Sequence, residues 1–150
     1  MGWPWNTKEV KKQDLEYLIK TSKGIKYEWG AKPGTRPRES FVGSDCSGYV
    51  QWLLLKLGFS HLPSGSWYQN RWFIEMNYKP TTYEMCGLKD GRLRVGYYPA
   101  KGTAPGHIWL CWNGQTIESY GGRGFGRRAW NTAMLLRNNP LCYVLTEPVV

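Results

Sequence analysis

The apolar positions of this chain change their spacing at about residue 80. Before that point they recur at helical intervals. Over residues 7–22, Leu15, Leu18 and Ile19 share a face, Asn6 or Thr7 stands where a cap is needed, Glu9 sits in the first turn, and Gly24 closes the segment. Together these predict a helix. Val50, Leu53, Leu54 and Leu57 form the stripe of a second, amphipathic helix that starts at Ser44-Asp45-Cys46 and stops at Gly58. After a turn at 61–65, Ser66 is placed to cap a short helix through Trp67, Gln69 and Trp72.

Beyond Pro80 the pattern shortens and alternates. Residues 93–98, 107–112, 115–120 and 141–145 read as strands. Helices come first and strands follow, which predicts an α+β domain with an antiparallel sheet. There is no internal repeat or heptad run, and 150 residues fit one domain, 1–150.

Asn113-Gly114 between two of the strands predicts a hairpin, because a type I′ turn needs positive φ at both central positions. The turn sets a register in which Trp112 faces Gln115, Cys111 faces Thr116 and Leu110 faces Ile117. Continued outward, Trp109 faces Glu118 and His107 faces Tyr120. Alternation then puts His107, Trp109, Cys111, Thr116, Glu118 and Tyr120 on one face, with Glu118 diagonal to His107.

Two stretches interrupt the periodicity. Residues 31–44 are rich in Pro, Gly and basic side chains and read as a loop long enough to be functional. Residues 121–128, GGRGFGRR, are glycine-rich and basic, without the Lys-Ser/Thr of a phosphate loop. They read as a mobile loop facing the substrate.

Charge narrows the choice of partner. With 20 Lys and Arg against 11 Asp and Glu, the net charge is +9, so the surface attracts polyanions and releases them as salt rises. Nucleic acid and bacterial cell wall both qualify. Nine Trp and ten Tyr exceed what a small core absorbs, because their polar tips need partners or water; some are expected to line a groove. No apolar run reaches the ~18 residues of a membrane span, so no membrane insertion is expected. The opening residues 1–6 show no basic stretch followed by an apolar one, and no conventional secretory signal is expected. The four cysteines, Cys46, Cys86, Cys111 and Cys142, are expected to be reduced thiols.

Cys46 differs from the other three in its setting. It falls in the first turn of a helix, where free N–H groups and the helix dipole favour thiolate over thiol. A nucleophilic cysteine needs that, although a lone cysteine is more often a buried structural one. The chain has only two histidines to act as base. His107 opens a strand after the loop GTAPG, where its side chain projects from the sheet edge. His61 lies in a turn beside Pro63 and reads as structural or exposed. Glu118 stands where it would accept from the second nitrogen of His107 and stabilise the imidazolium, with Tyr120 as a rival. No Cys or His pair has zinc spacing, and neither metal nor cofactor is expected.

Four segments then match a known pattern: YEWG at 27–30, SDCSGYVQWLLLKLG at 44–58, LPSGSWYQ at 62–69, and GHIWLCWNGQTIES at 106–119. Over about residues 24–120 the chain resembles the NlpC family of cell-wall cysteine peptidases, relatives of the CHAP amidases. The resemblance implies a papain-like fold, N-terminal helices packed on a C-terminal antiparallel sheet. It also implies a nucleophile at Cys46, a base at His107 and an orienting residue at Glu118. Tyr27, with Asp45, Ser47 and Trp29, is implied in the substrate-binding or oxyanion region. The chain departs from the family at the third position, usually His, Asn or Gln, in lacking a Pro-Gly-Asp segment before the His strand, and in a longer, more basic 31–43 loop.

The leading expectation is a monomeric peptidoglycan hydrolase that cuts an amide in the stem peptide, either a D-glutamyl to diamino-acid bond or the muramoyl to L-alanine bond. Small size, positive charge and no signal resemble a phage lysis or tail-associated enzyme, with a secretion-system effector amidase as the alternative. Such a protein is made in the cytoplasm and acts on the wall. Acyl transfer on the same fold is a further alternative. So is a non-catalytic, Trp-rich module for glycan or nucleic acid, although no nucleic-acid motif appears and no nucleic-acid partner is expected.

Overall fold

In the computed structural model, which describes residues 4–150, the first helix, α1, runs over Lys12–Thr21, shorter than the predicted 7–22. Met1, Gly2 and Trp3, half of the segment read for a leader, lie outside the described residues. Neither Asn6 nor Thr7 caps α1. Both are drawn into an extended strip: Asn6 N donates to Asn77 O at 2.8 Å, Lys8 N to Leu145 O at 3.1 Å, and Thr7 Oγ1 to Glu147 Oε1 at 2.9 Å. Tertiary hydrogen bonds to the C-terminal segment outweigh the local capping preference. Leu15 and Leu18 are buried as the periodicity predicts.

Strand β1, Lys26–Tyr27, pairs in parallel with β2, Gly43–Ser44, and so closes the 31–44 loop at its base. The loop is tied down along its length. Arg38 donates to Thr21 O at 2.7 Å and to Phe41 O at 2.8 Å, and Trp52 Nε1 donates to Arg36 O at 2.8 Å.

Helix α2, Cys46–Lys56, begins where the sequence places it, and Gly58, at φ 95°, ends it. Its expected amphipathic character is not observed. Val50, Leu53 and Leu54 are buried, but so are Tyr49, Gln51 and Trp52 on the other faces. The helix is enclosed because the 31–44 loop and α1 cover the side that a stripe alone would leave to water. Phe41 meets Trp52 edge-on at 5.5 Å, and the Tyr49 hydroxyl lies 2.8 Å from Ser22 Oγ. Helix α3 spans Ser66–Glu75, with Gly65 at φ 89° in the cap position and Ser66 as its first residue, so Ser66 is not the cap.

Strands β3 (Lys79–Thr81), β4 (Arg94–Tyr98), β5 (His107–Trp112), β6 (Gln115–Tyr120), β7 (Gly124–Gly126) and β8 (Leu141–Val144) make an antiparallel sheet, with the short helix α4, Ala133–Leu136, before the last strand. The strand order is β3-β8-β4-β5-β6-β7. The hairpin has the predicted turn, with φ 52° at Asn113 and 83° at Gly114, and pairs Trp112 with Gln115, Cys111 with Thr116 and Leu110 with Ile117. The main core joins α1 and α2 to Val95, Tyr97, Ile108, Leu110 and Ile117 of the sheet. A second cluster gathers Trp109, Cys111 and Cys142 with Tyr83, Cys86 and Leu135.

The glycine-rich 121–128 segment contains an edge strand, which corrects its reading as a mobile loop. β7 pairs with β6, setting Glu118 opposite Gly126 and Tyr120 opposite Gly124, and Phe125 N donates to Ile25 O at 2.9 Å. Gly124, at φ 84°, lies so close to the backbone of β1 that a Cβ would stand 2.9 Å from Lys26 Cα. The glycine therefore serves close approach between two backbones. Among the described residues, no helix is long and apolar enough to cross a membrane.

Candidate active site

Asp45 is the N-cap of α2, its carboxylate accepting from Gly48 N at 2.7 Å. Lys32 forms an ion pair with the same carboxylate and donates to Ser47 Oγ at 3.0 Å. Asp45 and Ser47 are both buried. Their polar groups are engaged at the start of the helix, and little of either residue is exposed. Gly48 is required by the same packing, since a Cβ there would lie 2.7 Å from Ser44 Oγ and 2.9 Å from Asp45 Oδ1. Cys46 is left as the first helical residue and is partly exposed.

His107, at the start of β5, lies close enough to Cys46 for the two side chains to be coupled electrostatically. Its Nε2 lies 2.7 Å from Glu118 Oε1. A carboxylate only accepts, so Nε2 carries the proton and Nδ1 is free toward the thiol. Burial works against a charged imidazole, but the nearness of Cys46 and the hydrogen bond to Glu118 outweigh it and raise the pKa of His107 to about 8. The ring stacks on Trp109, centroids 5.2 Å apart and planes 19° from parallel. Trp109 in turn fills the space beside Gly96 of β4, where a Cβ would stand 2.6 Å from the indole.

Glu118 is fully buried. Burial alone would raise its pKa, but hydrogen bonds to His107 and Arg128 more than offset that and hold it below the ordinary carboxylate value. Arg128 donates through Nε to Oε2 at 2.9 Å and through a terminal nitrogen to Oε1 at 2.7 Å. Its guanidinium lies 4.0 Å from the centre of the Tyr120 ring, so Tyr120 stacks on Arg128 while Glu118 holds the imidazole.

A cleft of about 450 Å³ opens beside His107, lined by Tyr27, Trp29, Tyr98, Tyr120, Arg128 and Met134 among others. Burial, and nearness to Cys46 and Asp45, push the Tyr27 phenol up to about 12, so at neutral pH it keeps a proton to donate. Trp29 is 81% exposed and forms an outer wall. His61 is exposed in its turn at φ 71°, away from this group. All four cysteines are free thiols, with Cys86, Cys111 and Cys142 buried.

The structure thus brings Cys46, His107, Glu118 and Tyr27 to one place and assigns Asp45 and Ser47 to the helix start. Sequence reasoning missed Lys32, Tyr98, Trp109 and Arg128. The usable signal for Arg128 was the buried position that the hairpin register gives Glu118, since a buried carboxylate demands a cation. Among the described residues, no group of three or more His, Cys, Asp or Glu side chains is arranged to hold a metal ion.

No family model and no curated protein matches this chain. Among solved structures it is similar to a protein described as similar to a lipoprotein of the NLP/P60 family, from Staphylococcus aureus subsp. aureus Mu50. The TM-score is 0.57 and the identity 17%, over 97% of this chain and 44% of that one. The chain therefore spans under half the length of that protein. At this identity the likeness is one of fold: α+β and papain-like, with N-terminal helices on a C-terminal antiparallel sheet.

Proposed function

We propose that the chain is a cysteine peptidase or amidase that hydrolyses an amide bond in the stem peptides of bacterial peptidoglycan. The observation that carries this reading is the hydrogen bond between His107 and Glu118 beside Cys46, with the cysteine at a helix N-terminus and the imidazole held in the tautomer a base requires. The NlpC-like segments and the shared fold supply the substrate class.

His107 Nδ1 takes the Cys46 thiol proton as Sγ bonds to the amide carbonyl carbon, and the carbonyl π electrons move onto oxygen. Backbone N–H groups at the start of α2 and the Tyr27 phenol stabilise that oxyanion. As the C–N bond breaks, His107 returns the proton to the leaving amine, and a thioester to Cys46 remains. Water attacks the thioester while giving its proton to His107, and collapse releases the acid and restores the thiol. Glu118 keeps the ring oriented and stabilises each imidazolium.

The positive surface suits an anionic wall. A phage lysis or tail-associated enzyme and an injected effector amidase both fit a small basic domain of this kind. The test is mass spectrometry of purified peptidoglycan after incubation. New amine and carboxyl ends at one stem-peptide bond are expected and would identify the bond. Unchanged muropeptides from walls of both diaminopimelate and lysine type would defeat the reading.

A further inference from the structure

Glu118 is fully buried, yet its histidine partner is positive for only part of a reaction cycle. A buried carboxylate facing a neutral imidazole would stand uncompensated, at a cost that usually drives such a group to take up a proton. If Glu118 did so, it would no longer hold His107 in one tautomer. The structure answers this with Arg128, a permanent cation that reaches both carboxylate oxygens at 2.7 and 2.9 Å.

Arg128 is itself held in place. Its backbone N–H donates to Thr116 Oγ1 at 2.7 Å, and its carbonyl accepts from Thr116 N at 2.8 Å. The ring of Tyr120 covers its guanidinium. The chain reaches this position directly from β7, whose pairing with β6 sets Gly126 opposite Glu118. Arg127, the next residue toward β7, turns away and donates to Thr116 O at 3.1 Å.

We infer that Arg128 is a positioning residue of this site: its forked contact keeps Glu118 ionised and fixed in both protonation states of His107, and its charge limits how tightly Glu118 holds the imidazolium. The inference rests on the hydrolase reading for its link to turnover, although the electrostatic part stands on geometry alone. The titratable and charged groups facing His107 are Tyr27 from β1, Cys46 from α2, Tyr98 from β4, Glu118 and Tyr120 from β6, and Arg128 beyond β7. Those acting on Glu118 are His107, Arg128 and, through the sheet, Cys111 and Tyr98. Among these groups Arg128 alone is a permanent cation, so its removal raises the proton affinity of the His107–Glu118 pair as a whole.

The experiment is a histidine NMR titration of Arg128→Gln, Arg128→Lys and the double variant Glu118→Gln/Arg128→Gln, with the exposed His61 as internal reference. In Arg128→Gln the His107 pKa is expected to rise by about one unit, as loss of a nearby like charge requires. The acid limb of kcat/KM, where His107 must lose its proton to act as base, should move up with it, and turnover at neutral pH should fall roughly tenfold or more as added protonation and lost orientation combine. Arg128→Lys should leave the His107 pKa near wild type and still lose turnover, because an ammonium cannot make the fork. The double variant, which removes both buried charges, should fold and carry a His107 pKa below wild type.

An unchanged His107 pKa in folded Arg128→Gln would overturn the inference. Should that variant fail to fold, a folded double variant whose His107 titrates as in wild type would overturn it equally. If instead His107 moves as expected but wild-type protein leaves peptidoglycan intact, the electrostatic role of Arg128 stands and the hydrolase reading falls.

Discussion

Gly96 of β4 makes room for the indole of Trp109, and that indole is the surface on which the His107 ring rests. The glycine thus acts on the site through one aromatic ring, without touching it. Gly96→Ala should force Trp109 to shift. Overpacking of this kind typically costs about 1–3 kcal/mol of stability. Activity should fall further than that loss explains, because the imidazole loses its floor. Comparison of kcat with the urea midpoint, together with the ring-current shift of the His107 protons, checks this. A variant with a lowered midpoint but wild-type kcat and His107 shifts would show that the stacking has no part in orienting the base.

Thiol exposure predicts a clear order of alkylation. Cys46 is partly exposed, whereas Cys86, Cys111 and Cys142 are 1, 1 and 2% exposed. Iodoacetamide should therefore modify Cys46 first and remove activity in step with a single alkylation, as read by a peptide map. Cys46→Ala should abolish turnover while the fold persists, since the N-cap bond to Gly48 comes from Asp45 and survives the change. Cleavage retained by folded Cys46→Ala would exclude the thiol mechanism.

The ionisations at the site also set how stability depends on pH. The folded pKa of His107, about 8, lies above its ordinary 6.5, so this group contributes stability that is complete below the unfolded value and is lost as pH rises through 8. A shift of that size corresponds to about 2 kcal/mol. Glu118 is shifted down, so its contribution is present above the ordinary carboxylate value and is lost as pH falls through its folded pKa. Urea midpoints should therefore decline at both ends of the range, and the alkaline decline should vanish in His107→Gln. An alkaline slope that persists in that variant would assign it to other groups.

How far these features were legible depends on whether their causes are local. Asn113-Gly114 sets the hairpin register from two residues, and that register alone places Glu118 diagonal to His107, where it is found at 2.7 Å. The start of α2 is equally local, being an Asp cap before a hydrophobic run. Arg128 was not legible in this way. It is carried past Glu118 by β7, a three-residue strand with two glycines, which exists because Phe125 bonds to the carbonyl of Ile25, a hundred residues earlier in the chain. Asn6 and Thr7 misled for the same reason, since long-range partners took the groups that local chemistry assigned to a cap. The enclosure of α2 likewise depends on a loop whose anchors, Arg38 and Arg36, show no periodicity.

The +9 charge makes a prediction separate from the catalytic geometry. Binding to whole wall should weaken steeply with added salt, while turnover of a short soluble stem peptide should change little, because only the long polyanion collects many charge contacts. Pull-down on isolated walls and peptide kinetics over the same salt series would show this. Equal salt slopes for the two substrates would remove the charge from wall recognition.

Glu118 and Tyr120 were rivals for orienting His107, and the structure separates their contacts: Glu118 is bonded to the imidazole, and Tyr120 lies on the guanidinium of Arg128. Glu118→Gln keeps a hydrogen-bonding group but removes the charge that favours imidazolium, so the acid limb of the pH profile should move to lower pH, and turnover at its plateau should fall because the imidazolium formed during reaction is no longer stabilised. The same change strands the partly buried positive charge of Arg128, so it should also lower the urea midpoint, where a fully exposed ion pair would not. Glu118→Ala should lose more of both, because it removes the acceptor as well. Tyr120→Phe keeps the ring over the guanidinium and deletes only a hydroxyl, so kcat and the acid limb should stay near wild type. The three variants measured on one defined peptide decide the matter. A severe loss in Tyr120→Phe with near-normal turnover in both Glu118 variants would transfer the orienting role to the tyrosine, and would mean that the 2.7 Å contact serves the fold without serving the reaction.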